Sequence, residues 1–350
     1  MAVQPDRPNR GGRTTIRDIA EIAGVSPATV SRVVNGRTDV SPALRESVMR
    51  VVREQGYTTG RAPHPAHFGR TGLVGVTVPL VHKSYFSEIL AGASEAFYEL
   101  DYSIVLSPTL HEHRREVSLV ERLMRGLTDG ALLVLPEESQ QELTALREQG
   151  YPFVIVDPHT EIDERVPTVS ASNTAGGRSA TEHLLSLGHR RIAAITGPRD
   201  GIATKERMRG YRGALLDFGI LADPALTVES DFSTGGGHRA ALPLLSMAER
   251  PTAVFAFNDM MAIGVIRAAR QLGLRVPEDV SVCGFDDTFE ASILETPLTT
   301  VRQPLAEMGR MAVSQLARLL QNRRIEALHI QLETMLVVRE STGPVASGLA

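Results

Sequence analysis

From Gly72 onward the chain alternates short apolar runs with amphipathic helical patterns, and this alternation restricts the possible folds more than any other feature. The apolar runs lie at 73–78, 104–106, 131–135, 153–156, 192–195, 253–257 and 280–284. The helical patterns lie at 86–100, 112–125, 174–187, 205–218, 237–247 and 259–272. Such alternation predicts a mainly parallel sheet with helices on both faces. This region is too long for one such sheet, so we expect two doubly wound α/β subdomains with a ligand cleft between them, at the C-terminal ends of the strands.

Three short helical patterns precede this region. The first covers 16–23, with Thr14 or Thr15 as its N-cap, and Gly24 ends it. Ser26 can cap a second helix that begins at Pro27 and extends to about Val34. A third extends from 42 to about 55. Two short helices joined by a tight turn predict a helix-turn-helix headpiece.

The second helix is the expected reading element of this headpiece, because a recognition helix places its N-terminal residues at base edges in the major groove. Arg32 has the fork geometry that matches guanine O6 and N7. The remaining polar groups are expected to position phosphates. The candidate DNA-binding residues are Thr15, Ser26, Pro27, Ala28, Thr29, Ser31, Arg32 and Asn35. On pattern alone, a generic three-helix bundle with a solvated arginine face remains an alternative.

Charge distribution favours a nucleic-acid partner for the first part of the chain. Residues 1–70 contain 11 arginines and 6 acidic residues, a net charge of +5. The rest contains 26 basic and 35 acidic residues, a net charge of −9, although the whole chain carries only −4. A basic N-terminal region followed by an acidic remainder is the charge asymmetry expected when one domain binds the phosphates of a nucleic acid.

Several function classes are disfavoured by composition. The single cysteine, Cys283, excludes a disulfide framework and suggests a reducing cytoplasm. No long apolar run predicts a membrane span, and the polar N-terminus predicts no secretory signal. The two lysines, Lys83 and Lys205, do not lie in a phosphate-binding loop motif. We expect no cofactor, no metal and no catalytic residues, although residues 111–113 (His-Glu-His) weakly suggest a metal site.

Polar residues follow several predicted strands. Asp157, Asn258 and Asp286 come directly after apolar runs, and Arg207 lies in a helix shortly after the run at 192–195. Carboxylates and amides pair with hydroxyl groups, and arginine clamps an oxygen, so this set suits a polyhydroxy ligand. Helix capping is an equally good interpretation of Asn258 and of its neighbour Asp259.

Short strings in both regions resemble one known family. IRDIA (16–20), AGVS (23–26) and TVSRVVN (29–35) closely resemble the headpiece of the lactose-repressor/galactose-repressor family. LGHRRI (187–192), FND (257–259), VPEDVSV (276–282), GFDD (284–287) and PLTTV (297–301) with QP (303–304) resemble its effector domain. The resemblance implies a periplasmic-binding-protein-like effector domain attached to the headpiece.

The resemblance also implies a function. Members of this family are sequence-specific transcriptional regulators and usually repressors, so we expect the same of this chain. It is expected to bind a near-palindromic double-stranded DNA operator as a homodimer. The expected location is the cytoplasm, at the nucleoid. The effector is expected to be a monosaccharide or glycoside first, and a nucleobase or nucleoside second. Carried over position by position, the effector-binding residues are Tyr85, Phe86, Asp157, Arg207, Phe232, Asn258, Phe285 and Asp286.

Domain boundaries follow from these patterns. We expect a headpiece at 1–56, a linker at 57–71, an effector and dimerisation domain at 72–340 and a tail at 341–350. Within the large domain, the N-subdomain is expected at 72–161 and 303–322, and the C-subdomain at 162–302 and 323–340.

The linker departs from the family pattern, in which a hinge helix inserts a leucine into the minor groove. Here Ala66 occupies the leucine position, and Pro63 and Pro65 interrupt the helix. This composition predicts an extended, semi-rigid spacer.

Two other function classes remain as alternatives. A solute-binding protein shares the two-lobed architecture, but the basic headpiece disfavours it. An α/β enzyme acting on a sugar is the second, and the absence of a recognisable nucleophile or metal-ligand motif disfavours it.

Overall fold

A computed structural model describes residues 15–34, 40–55 and 70–345. They belong to two compact units, divided between Gly72 and Leu73. Asn35, the linker from 57 to 69 and residues 346–350 lie outside the described residues. The predicted extended spacer therefore stays a prediction.

The described residues of the first unit form three helices, α1 (Ile16–Ala23), α2 (Pro27–Val34) and α3 (Pro42–Glu54). Their bounds agree with the predicted ones to within a residue. Gly24 ends α1 in the left-handed conformation, with φ of 66°. The core between the helices consists of Ile19, Ala20, Val30, Val33, Val48 and Val51. The predicted helix-turn-helix headpiece is therefore confirmed.

The second unit contains twelve strands in its described residues. In chain order they are β1 (Leu73–Val78), β2 (Ser103–Pro108), β3 (Gly130–Val134), β4 (Phe153–Val156), β5 (Thr168–Ala171), β6 (Ile192–Thr196), β7 (Thr227–Glu229), β8 (Ala253–Ala256), β9 (Ser281–Asp286), β10 (Thr299–Arg302), β11 (His329–Leu332) and β12 (Met335–Val337). They form two six-stranded sheets, in the orders β11-β5-β4-β3-β1-β2 and β12-β10-β9-β8-β6-β7. All pairings are parallel except β10 with β12. The predicted pair of mainly parallel sheets is confirmed.

Helices cover the faces of both sheets. They are α4 (Ser84–Glu99), α5 (His113–Arg122), α6 (Gln140–Glu148), α7 (Asn173–Ser186), α8 (Ile202–Asp217), α9 (Thr234–Leu245), α10 (Asp259–Gln271), α11 (Phe289–Ile293) and α12 (Leu305–Leu320). A wide π-type turn, Leu123–Leu127, follows α5 directly. The first lobe, built on the β1 sheet, includes α12, whose buried residues join the core of β1, β3 and β4.

The expected subdomain boundaries need three corrections. The first lobe extends past residue 162, because β5 pairs with β4. It also includes β11, which pairs with β5, so residues 329–332 belong to the first lobe and not to the second. Residues 341–345 are not a free tail: Ser341 is fully buried and its hydroxyl donates to the Val282 carbonyl at 2.6 Å. Backbone pairing, which apolar periodicity does not report, decides all three.

Candidate functional site

In the headpiece, α2 buries one face and exposes the other. Val30 and Val33 lie in the core, whereas Pro27, Ala28 and Arg32 are exposed. Ser26 is the N-cap, because its Oγ accepts from the Thr29 backbone amide at 3.1 Å. The first turn of α2 and Arg32 are therefore accessible from outside the headpiece core.

The other candidate DNA-binding residues lie around this surface. Thr29 and Ser31 are half-buried on α2. Thr15 is exposed and caps α1, because its hydroxyl oxygen accepts from the Asp18 backbone amide at 3.4 Å. Its own backbone amide donates to Asp18 Oδ2 at 2.7 Å, and hydrogen bonds from Thr15 lower the pKa of Asp18. The structure thus places Ser26 at the N-cap of α2 and Pro27, Ala28, Thr29, Ser31 and Arg32 along that helix, and it leaves Thr15 at the start of α1.

In the large unit, the first lobe contributes Tyr85, Phe86 and Asp157. Tyr85 and Phe86 lie in the first turn of α4, where their rings meet edge to face at 5.2 Å. Asp157 follows β4, and the Tyr85 hydroxyl donates to Asp157 Oδ2 at 2.6 Å. Asp157 has a φ of 54°, in the left-handed region. Non-glycine residues held in this region cluster at ligand sites.

Arg207 is a buried side chain of the second lobe that several contacts hold in place. It is only 3% exposed, and its Nε donates to Asn173 Oδ1 at 2.8 Å. Its Nη1 donates to the Phe257 carbonyl and lies 3.9 Å from Asp286 Oδ1. The guanidinium carbon lies 3.7 Å from the centroid of the Phe285 ring, in cation–π geometry. These contacts preorganise the guanidinium.

Asp286 accepts a hydrogen bond from Gln303, a residue that was not predicted to belong to the effector site. Gln303 Nε2 donates to Asp286 Oδ1 at 2.7 Å, and Gln303 is 3% exposed. Its Oε1 has no hydrogen-bond donor within the described part of the chain. A buried acceptor without a donor suits a ligand hydroxyl. The signal for Gln303 in the sequence is the QP string (303–304) directly after β10, which is also one of the strings that resemble the family.

Charged groups of the two lobes interact with each other where Asp157, Arg207 and Asp286 come together. Burial raises the pKa of Asp157, and the Tyr85 hydrogen bond and the Arg207 charge oppose this rise. Burial also raises the pKa of Asp286 to about 7, against the charge of Arg207 and the Gln303 hydrogen bond. Two carboxyl groups and one guanidinium, drawn from both lobes, are therefore held in one poorly solvated place.

Asn258 and Phe232 are held together beside this cluster. Asn258 Oδ1 caps α10 by accepting from the Met261 amide at 2.9 Å, and its Nδ2 donates to the Phe232 carbonyl at 3.2 Å. The Phe232 ring occupies the space over Gly197, where a Cβ would lie 2.0 Å from the ring. Capping is thus a real role of Asn258, and the amide also positions Phe232, another residue with positive φ.

Asp259 and Asp287, which neighbour the cluster residues Asn258 and Asp286 in the sequence, form hydrogen bonds to other residues of the second lobe. Asp259 accepts from the Thr288 backbone amide and hydroxyl and from the Thr300 hydroxyl. Asp287 accepts from Arg302 and Arg339 at 2.6 Å each. Both are structural.

The two lobes also touch directly beside the cluster. The Ser84 hydroxyl donates to Glu290 Oε1 at 2.7 Å, which joins the start of α4 to α11. The Ile202 amide donates to the His159 carbonyl at 3.0 Å, which joins the β4 loop to α8. A change in the angle between the lobes would alter these contacts.

Other candidate chemistries gain no geometric support in the described residues. No group of His, Cys, Asp and Glu there has the arrangement of a metal site. His111 and His113 contact Glu137 and Glu142 instead. Cys283 is fully buried, and burial raises the pKa of its thiol. Among the residues described, no helix is long and apolar enough to cross a bilayer.

Comparison with known proteins agrees with this architecture. Residues 15–60 match the family described as bacterial regulatory proteins, lacI family, and residues 181–342 match the periplasmic binding protein-like domain. The HTH-type transcriptional regulator CelR of Thermobifida fusca is 40% identical over 344 residues, covering 95% of this chain and 99% of the relative.

Solved structures extend the likeness to three dimensions. A transcriptional regulator CelR–cellobiose complex is 38% identical, with a TM-score of 0.73, covering 94% of this chain and 100% of that one. A lac repressor dimer bound to operator and the anti-inducer ONPF is 30% identical, with a TM-score of 0.76, covering 95% of this chain and 100% of that one. The chain belongs to the LacI family and is a DNA-binding transcriptional regulator under the control of a small ligand.

Proposed function

We propose that this chain is a repressor whose operator affinity is set by a sugar bound between the two lobes, and that the first candidate is a glucose disaccharide of the cellobiose type. The carrying observation is the cluster in which Tyr85 and Asp157 of one lobe lie within electrostatic reach of Arg207 and Asp286 of the other. The likeness to a regulator seen with cellobiose supports the ligand class.

Each group in the cluster has a role toward a polyhydroxy ligand. Asp157, Asp286 and Gln303 Oε1 accept from sugar hydroxyls, and Arg207 donates to a sugar oxygen. Asn258 contributes its amide. The aromatic rings of Tyr85, Phe86 and Phe232 flank the apolar faces of the sugar. Phe285, which is fully buried, acts indirectly by supporting the Arg207 guanidinium.

On the DNA side, we propose that two headpieces of a homodimer bind the half-sites of a near-palindromic operator. Pro27, Ala28 and Arg32 meet base edges, and Arg32 reads a guanine. The phosphate-positioning residues are Thr15, Ser26, Thr29, Ser31 and Asn35.

Coupling between the sites requires that the sugar favour one arrangement of the lobes over another, because equal affinity for both shifts nothing. The contacts Ser84–Glu290 and Ile202–His159 are the ones that such a change would remake. An inducer releases the operator, and a corepressor tightens binding.

We propose further that the chain catalyses no reaction and acts in the cytoplasm, at the nucleoid. Relatives across nearly its full length are named as regulators. Asp157 is engaged by Tyr85 and Asp286 by Gln303, arrangements that suit binding. Hydrolysis of cellobiose by the purified protein would contradict this proposal.

The test combines ligand and operator binding. Cellobiose, ribose and nucleosides are screened by thermal shift, and operator affinity is then measured by fluorescence anisotropy with and without each hit. Arg32→Ala should lower specific operator affinity by about 5- to 150-fold, because a bidentate arginine–guanine contact contributes about 1–3 kcal/mol, while sugar affinity stays unchanged. Arg267→Ala, an exposed arginine of α10, is the matched control and should change neither. Unchanged operator affinity of the Arg32 variant would refute the recognition-helix assignment.

A further inference from the structure

A second cavity lies in the first lobe, between α5, the turn Leu123–Leu127 and α6. Its volume is about 650 Å³, within the range of small-molecule sites. Val117, Val120, Met124, Leu143 and Leu146 supply an apolar wall. The cavity shares no residue with the sugar-binding cluster.

A pair of buried carboxyl groups adjoins this cavity. Glu116 of α5 is 0% exposed, and Glu138, which lines the cavity, is 5% exposed. Glu116 Oε2 accepts from the Glu137 amide at 2.7 Å. Glu116 Oε1 and both carboxyl oxygens of Glu138 have no donor in the described part of the chain. Buried carboxylates without donors are costly, so this pair requires a proton or another cation.

The surroundings supply little compensating positive charge. Burial raises the pKa of both Glu116 and Glu138, and the Glu116 charge raises that of Glu138 further. Glu137 and Glu142 add two more acids, which His111 and His113 contact at 3.2 and 3.1 Å. The cationic residue in the cavity wall, Arg125, pairs with Glu121 at 3.4 Å.

We propose that this cavity binds a small organic cation with an apolar body, such as an arylalkylammonium ion. The ammonium donates to Glu138 after that side chain turns toward the cavity it lines, and the hydrocarbon part packs on the apolar wall. The bound ammonium replaces the proton that the two carboxyl groups share, and that proton leaves to solvent. A small molecule suits the site because the cavity is concave and the carboxyl groups are withdrawn from the surface.

The test uses isothermal titration calorimetry on the full chain with 2-phenylethylammonium chloride and, as its neutral counterpart, 2-phenylethanol. Wild-type protein should bind the ammonium, and Glu138→Gln should weaken that binding about tenfold or more, as expected for loss of a charge-assisted hydrogen bond. Binding of the alcohol should be the same in both proteins. Glu142→Gln removes the same charge from the cavity rim and should have a much smaller effect.

Proton release gives a readout that does not depend on a variant. Titrations at pH 7 in two buffers of different ionisation enthalpy should show release of up to one proton per ammonium bound by wild-type protein. No binding, equal weakening by Glu138→Gln and Glu142→Gln, or binding without proton release would each overturn the proposal. Any of these results would leave the sugar site untouched, since it shares no residue with this cavity.

Discussion

At the scale of single residues, the cleft is defined by strained backbone and poorly solvated charge. Asp157, Phe232 and Asp286 all have positive φ, of 54°, 56° and 116°. Each such conformation costs on the order of 1 kcal/mol and persists only where surrounding contacts hold it. The Tyr85 and Gln303 hydrogen bonds hold the two carboxyl groups. The cleft is therefore shaped before a ligand arrives.

Asp157→Asn tests the role of this charge. The amide oxygen can still accept from Tyr85, but a charge-assisted hydrogen bond to a sugar hydroxyl becomes a neutral one. Sugar affinity measured by calorimetry should fall about tenfold or more, with operator affinity in the absence of sugar unchanged. Asp217→Asn, at an exposed ion pair with Arg178, should leave sugar affinity as in wild type. Equal sugar affinities of all three proteins would exclude Asp157 from the site.

The carboxyl pair of the first lobe predicts a dependence of stability on pH. The pKa of Glu138 is raised in the folded protein, so its contribution to stability is fully present below its unfolded pKa and is lost as pH rises through the raised value. Glu138→Gln mimics the protonated form at every pH. Relative to wild type, its melting temperature should therefore be higher at pH 8.5, by roughly a few degrees, and similar at pH 5. A difference that is independent of pH would contradict this account.

At the scale of elements, the packing of α7 on α8 positions Arg207. Gly177 of α7 lies so close to α8 that a Cβ there would be 2.5 Å from the Arg207 carbonyl oxygen. This contact places Arg207 beside Asn173, the first residue of α7.

Gly177→Ala should therefore affect both folding and ligand binding. The new methyl group would push α8 away, with an expected cost of about 1–3 kcal/mol in unfolding free energy and a loss of sugar affinity. Gly213→Ala on α8 is the control, since its Cβ would meet only the flexible end of Arg178 at 3.4 Å. Denaturant unfolding and calorimetry measure the two effects. A Gly177 variant as stable as wild type, with normal affinity, would contradict the positioning role.

The elements also show where sequence reasoning succeeds. Buried strands such as β1 and β4 are continuous apolar runs, and their predicted bounds match the structure. Strands β5, β10 and β11 contain polar residues and were missed, because cross-strand pairing and not apolar content creates them. The expected helix at 112–125 ends early, because the chain widens into a π-type turn after Arg122.

At the scale of the whole molecule, the site depends on a chain that passes between the lobes more than once. Strand β5 belongs to the first sheet, β6–β10 to the second, β11 to the first and β12 to the second. Asp157, Arg207 and Asp286 were recognisable as strand-end or helix-start residues. Gln303 was not, because its role comes from the hydrogen bond that its side chain donates to Asp286, a contact that the order of residues along the chain does not report.

The central claim is that one ligand in the cleft and one operator at the headpiece influence each other through the same protein. The most direct measurement is the dissociation constant of a cleft-binding sugar with and without operator, beside that of the operator with and without saturating sugar. Because the proposed homodimer carries two sugar sites and binds one operator, thermodynamic linkage predicts that the operator ratio equals the product of the ratios for the two sugar sites, at about 5–150-fold per site. Operator affinity that stays the same when the sugar is fully bound would contradict the account.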